Sequence, residues 1–158
     1  MASPASVAKH PIHPMLVAFP IGLWVFSLVC DIIFAAGWGG PAWHDAAFYT
    51  MAGGIVGALL AAIPGFIDLL SLSDPHVKKI GVTHMTLNLI IVVIFAIDLW
   101  LRTAGAPRVV SPIVLSVIGI ILLLISGWLG GEMVYVHGVA VEPPSGASIP
   151  ERERGRVA

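Results

Sequence analysis

Charge is what this chain has least of. Only 11% of its 158 residues are charged, against 58% hydrophobic. A soluble domain of this length could not bury so much apolar surface, because small domains keep a large surface-to-volume ratio. With a mean hydropathy of +0.96, the solvent for most of the chain is expected to be lipid. Cysteine is almost missing too: Cys30 stands alone, which excludes an intrachain disulfide and any cysteine-rich zinc or iron–sulfur centre. No basic stripe is present and the formal net charge is -1, so no nucleic-acid partner is expected. There is no P-loop, no GxSxG and no HExxH, hence no sign of nucleotide binding, a serine nucleophile or a zinc protease. The opening MASPASVAKHPIHP is polar and proline-rich, so no cleavable signal peptide is expected. The apolar run from Met15 is expected to stay as an anchor.

What is present is four long apolar segments, at about 15–36, 48–70, 82–101 and 112–136, each near the roughly 20 residues that cross a hydrocarbon core. GWGGPAWHD, SLSDPHVKK and RTAGAPRVVSP separate them. Such short connections force antiparallel neighbours, so the expected fold is an all-α integral membrane protein, an up-down four-helix bundle. Residues 1–14 form an N-terminal segment carrying HPIHP, and residues 137–158 a polar tail. Pro20 and Pro64 lie inside spans and should kink them.

Both termini and the SLSDPHVKK loop fall on one side. That side carries Lys9, Lys78, Lys79, Arg152, Arg154 and Arg156, leaving Arg102 and Arg108 opposite. By the positive-inside rule it is the cytoplasmic side of a bacterial cytoplasmic membrane. His10, His13, His76, His84 and His137 fall on it as well; only His44 is opposite. This bias is the strongest functional hint in the sequence.

The two halves also resemble each other. HPMLVAFPIGLWVFSLVCDII runs from His13 to Asp31, and HMTLNLIIVVIFAIDLW from His84 to Asp98. At about 100° per residue each histidine shares a helix face with its aspartate. IPGFID in the second span matches ISGWLGGE in the fourth, which pairs Gly65 with Gly127. Two similar hairpins follow, related by an axis along the membrane normal. Spans one and three would then sit diagonally, with His13 and His84 at equal depth. Neighbouring helices pack 8–10 Å apart, so the diagonal is about 11–14 Å. That gap is too wide for one small ion held by two imidazoles alone, and suits a planar macrocycle.

Three functions stay open. In the first, His13 and His84 are axial ligands of a haem b that passes single electrons to quinone or a redox protein. Asn88, one turn from His84, and Asp68, Glu132 and Tyr135 are candidate supports for the imidazoles. In the second, His10, His13, His84 and His137 with nearby acids hold a transition-metal ion. In the third, the histidines cap and pack a non-catalytic subunit that binds no cofactor, and a homo-oligomer is compatible with all three. Asp98 and Arg102 are expected to form an ion pair one turn apart, with Asp31 joining it or approaching His44.

HPIHPMLVAFPIGL, PGFIDLL, THMTLN and GGEMVYVHGVAV, in that order, resemble the family of predicted bacterial membrane proteins catalogued as domain of unknown function 2231. The resemblance covers about residues 10–141 and implies a four-span membrane protein. Its motif positions here would be His10, His13, Pro20, Asp68, His84, Gly131, Glu132, Tyr135 and Gly138. Pro64 stands where the resemblance leads one to expect threonine. No activity or substrate comes with it.

Overall fold

Prolines and capping side chains decide where the helices begin and break. The computed structural model describes residues 3–103 and 112–141. Arg108, Arg152, Arg154, Arg156 and the tail from 142 onward lie outside the described residues. A two-residue antiparallel ladder, β1 (Ser6–Val7) with β2 (His10–Pro11), precedes five helices. They are α1 (Ile12–Leu16), α2 (Ala18–Ala35), α3 (Ala42–Leu70), α4 (Pro75–Thr103) and α5 (Pro112–Tyr135).

α1 and α2 form one span from Ile12 to Ala35, interrupted at Val17. Pro20 has no N–H to offer the Leu16 carbonyl, whereas Val17 N–H still reaches His13 O and Ile21 N–H reaches Val17 O. At the head of α4, Asp74 Oδ1 accepts the N–H groups of His76 and Val77 at 2.7 and 3.2 Å. Pro75 fills the first helical position, where a missing N–H costs nothing. In the turn after α5, Gly138 at φ 63° donates its N–H to Val134 O while Val139 N–H reaches Met133 O. A Schellman pairing closes α2, where Gly37 at φ 73° donates its N–H to Phe34 O and Trp38 N–H reaches Ile33 O. α3 and α4 both start earlier than hydropathy alone predicts, because the polar turns AWHD and PHVKK continue the helices beyond the apolar run.

Four spans are long and apolar enough to cross a membrane. α2 packs on α3, α4 on α5, α3 on α4 and α2 on α5. α2 therefore lies diagonal to α4, and α3 to α5, in an up-down bundle. Trp24, Met51, Ile91, Phe95 and Leu123 form the central core. Leu69, Leu72 and Val77, backed by Met85 and Val139, close the histidine end. Phe19, Leu60, Ile63, Leu124 and Trp128 point outward, as helices in lipid require.

The two hairpins meet as near copies. Along the diagonal, His13 faces His84 with ring centroids 6.5 Å apart, and Trp24 stacks on Phe95 at 4.4 Å. Asp31 pairs with Arg102 at 2.6 Å. Each of these pairs is separated by 71 positions in the chain. The glycines obey a second constant shift, of 65. A Cβ on Gly54 would strike Trp24 and one on Gly119 would strike Phe95; Gly65 and Gly130 press on His13 and His84 in the same way. This corrects the sequence alignment at two points. Asp31 corresponds to Arg102 rather than Asp98, and Gly65 to Gly130 rather than Gly127, which meets nothing within 4 Å. Both errors are shifts of three or four residues, which leave a residue on the same helix face and so escape a pattern match.

Candidate functional site

His13 enters at the second residue of α1, where the chain is held from outside the helix. Ser3 Oγ and Ala5 N–H both donate to Asp68 Oδ1, at 2.6 and 3.2 Å. Ile12 N–H donates to Ala5 O at 2.9 Å. Asp68 thus anchors the N-terminal segment, and its carboxylate is spent on that segment instead of an imidazole. Between Ser6 and Pro11 the chain reverses through Ala8 and Lys9, both at positive φ, and His10 Nδ1 bonds Ala8 O inside this turn.

The His13 ring lies against α3. Its Nδ1 is 2.8 Å from the carbonyl of Ala61. A carbonyl can only accept, so Nδ1 carries a proton. Pro64, one turn on from Ala61 in α3, has no N–H to offer the Leu60 carbonyl. Gly65, four residues after Ala61, lets the ring approach: a Cβ there would sit 2.7 Å from His13 Nδ1.

The second hairpin repeats the arrangement. His84 Nδ1 is 2.8 Å from the carbonyl of Ser126, and a Cβ on Gly130 would lie 3.2 Å from the ring. His84 Nδ1 therefore carries a proton too. Ser126 Oγ, 3.0 Å from Nδ1, is a second acceptor. Asn88 Nδ2 approaches His84 O at 2.8 Å, Ser126 Oγ at 2.7 Å and His84 Nε2 at 3.1 Å. An amide has two hydrogens for these three acceptors, and the two oxygens are the closer. The amide therefore shares its hydrogens between His84 Nε2 and the two closer oxygens.

Two imidazoles, each fixed by a main-chain carbonyl of the neighbouring helix, therefore meet across the bundle with interplanar angle 88°. The expectation that the diagonal is too wide for one ion fails here. Both side chains reach inward, and the ring separation is far smaller than the separation of helix axes. His10 and His137 are not part of the pair. His10 stays in its exposed turn, and His137 faces His76 with centroids 5.7 Å apart. Glu132 is half-buried near the end of α5 and Tyr135 is exposed. His44 lies at the other end against Phe34 and Asp45, away from Asp31. No three His, Cys, Asp or Glu side chains among the described residues converge as a metal group.

Sequence reasoning missed the cradles. Their signal was present: Ala61 and Gly65, and Ser126 and Gly130, are small residues four apart, the spacing that lets helices approach closely in a membrane. Gly65→Ala should cost about 1–3 kcal/mol of unfolding free energy through overpacking. In nitrogen-15 spectra of the imidazoles it should move the His13 resonances and leave those of His84 in place. Equal movement of both would mean the two cradles are not independent.

The match to known families rests on nearly the whole of this architecture. The chain belongs to the DUF2231 family of predicted membrane proteins. The family model matches residues 9–143, from the turn before HPIHP to just past the α5 cap. No curated protein and no solved structure matches the chain. Membership in DUF2231 and the four apolar helices make this an integral membrane protein in contact with the lipid bilayer.

Proposed function

We propose that this DUF2231 protein is a membrane b-type haem protein that carries single electrons, with His13 and His84 as the two axial ligands. The observation that carries the reading is the ring spacing. A metal–imidazole bond is about 2.0–2.1 Å, and ring bond lengths place the nitrogen about 1.1 Å from the ring centre. Two imidazoles on opposite sides of one ion then have centroids about 6.4 Å apart. The rings of His13 and His84 are 6.5 Å apart.

Donor chemistry points the same way. Ligating histidines characteristically donate the other ring N–H to a carbonyl or carboxylate, which fixes the ring and its tautomer. Both rings do so, onto Ala61 and Ser126. The donor count favours haem over a bare ion. His84 is nine residues into α4, about 13 Å along the helix, where bulk water is scarce and cannot complete a coordination sphere. A bare ion there needs three or four protein ligands; haem iron has four nitrogens of its own ring and needs two more.

A bound haem would supply reversible one-electron chemistry. The chain's residues hold the imidazoles in orientation, and the Leu69–Leu72–Val77 cluster keeps water from the histidine layer. Quinone or a redox protein would be the electron partner. Lys9, Lys78 and Lys79 on the histidine side favour a bacterial cytoplasmic membrane with both termini in the cytoplasm.

The test is an oxidised and dithionite-reduced visible spectrum of the full chain purified in mild detergent, with elemental analysis of the same sample. Expected are a Soret band, sharp reduced α and β bands and one iron per chain. These should vanish in His13→Ala and in His84→Ala and persist in His10→Ala. A colourless protein made with ample haem sinks the haem reading. Stoichiometric copper or zinc, lost in the same two variants, would move the pair to bare-metal chemistry.

A further inference from the structure

A second histidine pair lies at the membrane boundary, where α4 starts and α5 ends. We propose that His76 and His137 form a surface site for a divalent transition-metal ion of the copper or zinc class, with Asp74 as the neighbouring anion. This does not rest on the haem reading, since none of these residues takes part in it.

Four observations carry the site. The ring centroids are 5.7 Å apart at an interplanar angle of 67°. Two imidazoles on one ion have centroids about 5.2 Å apart at a tetrahedral angle and about 6.4 Å when opposed, from the bond lengths used above. The observed spacing lies between, fitting a bent two-nitrogen site. Neither ring has a hydrogen-bond partner among the described residues, so its nitrogens are not spent elsewhere.

Both backbones are locked. His76 is in the first turn of α4 behind the Asp74–Pro75 cap, and His137 sits in the turn after α5, its N–H on Glu132 O and the next two N–H groups on Val134 O and Met133 O. Two ligands on rigid helix ends lose little freedom when an ion binds. Charge complementarity completes the case. Asp74 caps α4 with one carboxylate oxygen on the N–H groups of His76 and Val77, which places a negative charge beside the His76–His137 pair. His76 is exposed, so water can fill the remaining coordination positions, which it cannot do at the His13–His84 layer.

The probe is copper(II), the strongest imidazole binder of the common divalent ions, titrated into the full chain in detergent and followed by electron paramagnetic resonance. The wild type should bind one equivalent with hyperfine coupling from two nitrogens. His76→Gln and His137→Gln should each weaken binding by at least about tenfold, while the His13→Ala/His84→Ala protein keeps it. Asp74→Asn, which retains a capping oxygen, should weaken it less. The substitutions lie at the chain's polar end, and unchanged helical circular dichroism would show the bundle intact. Wild-type protein that binds no copper, or binding that survives the His76→Gln/His137→Gln double variant, overturns the site. Binding lost only in the His13→Ala/His84→Ala protein overturns it too, and assigns the ion to the central pair.

Discussion

Replacing Arg102 by methionine should lower the unfolding free energy of the detergent-solubilised protein by about 3–5 kcal/mol, the cost of removing one partner from a buried ion pair. Arg102 Nη1 and Nη2 grip both oxygens of Asp31 at 2.7 and 2.6 Å, and Nε reaches Asp98 Oδ1 at 3.1 Å. Ser116 Oγ donates to Asp98 Oδ2 at 2.9 Å. The Arg102 side chain is 3% exposed and that of Asp98 0%, so this is not a solvated surface pair worth under about 1 kcal/mol. Without the guanidinium, two carboxylates are stranded where neither water nor lipid can satisfy them. Lysine should rescue little, because an ammonium cannot reproduce the two-pronged grip on Asp31 while also reaching Asp98. A triple Asp31→Asn/Asp98→Asn/Arg102→Met protein should recover much of the loss, since removing all the charges together leaves none unpaired. SDS titration of the four proteins checks this. A loss under about 1 kcal/mol for Arg102→Met alone would mean that water reaches the cluster.

The second large effect is expected at the middle layer. Trp24→Ala should cost about 3–5 kcal/mol, the usual range for truncating a buried large aromatic. The indole is 2% exposed, lies parallel to Phe95 at 4.4 Å and donates Nε1–H to Met51 O at a long 3.3 Å. Lipid tails are as apolar as the core, so the cost comes from lost packing rather than from exposure to water. The cradle makes it severe. Gly54, opposite, has no side chain to move into the space the indole leaves. Trp24→Phe keeps a ring over Phe95 and should cost much less. Trp128→Ala is the control, because Trp128 is 78% exposed on the outer face. Equal losses for Trp24→Ala and Trp128→Ala would sink the view that the diagonal stack holds the bundle.

Within single helices the sequence was transparent. Asp98 with Arg102 and His84 with Asn88 are four apart, and one helical turn places such pairs together whatever else the fold does. Which end of the bundle each residue lies at was equally plain, since depth follows from counting residues. Pairings between helices were harder. Asp68 looked like an imidazole support because it lies at the right depth on the right side, yet its carboxylate is taken by Ser3 and Ala5. His137 was grouped with His13 and His84 for the same reason, and meets His76 instead. Depth alone cannot choose among histidines that share a layer; rotation about the helix axis chooses, and that comes from packing.

The sequence by itself determined the solvent, the four spans, their alternating direction and the gathering of histidines at one end. Those follow from apolar run length, loop length and position along the chain. Only the tertiary structure decided the constant shifts of 71 and 65, which put His13 on His84, Trp24 on Phe95 and Asp31 on Arg102. It also decided that the main-chain carbonyls of Ala61 and Ser126 fix the two imidazoles. Every residue carries a carbonyl, so none is marked in the sequence. The ones that matter are selected where glycines let two helices close to within reach of a ring.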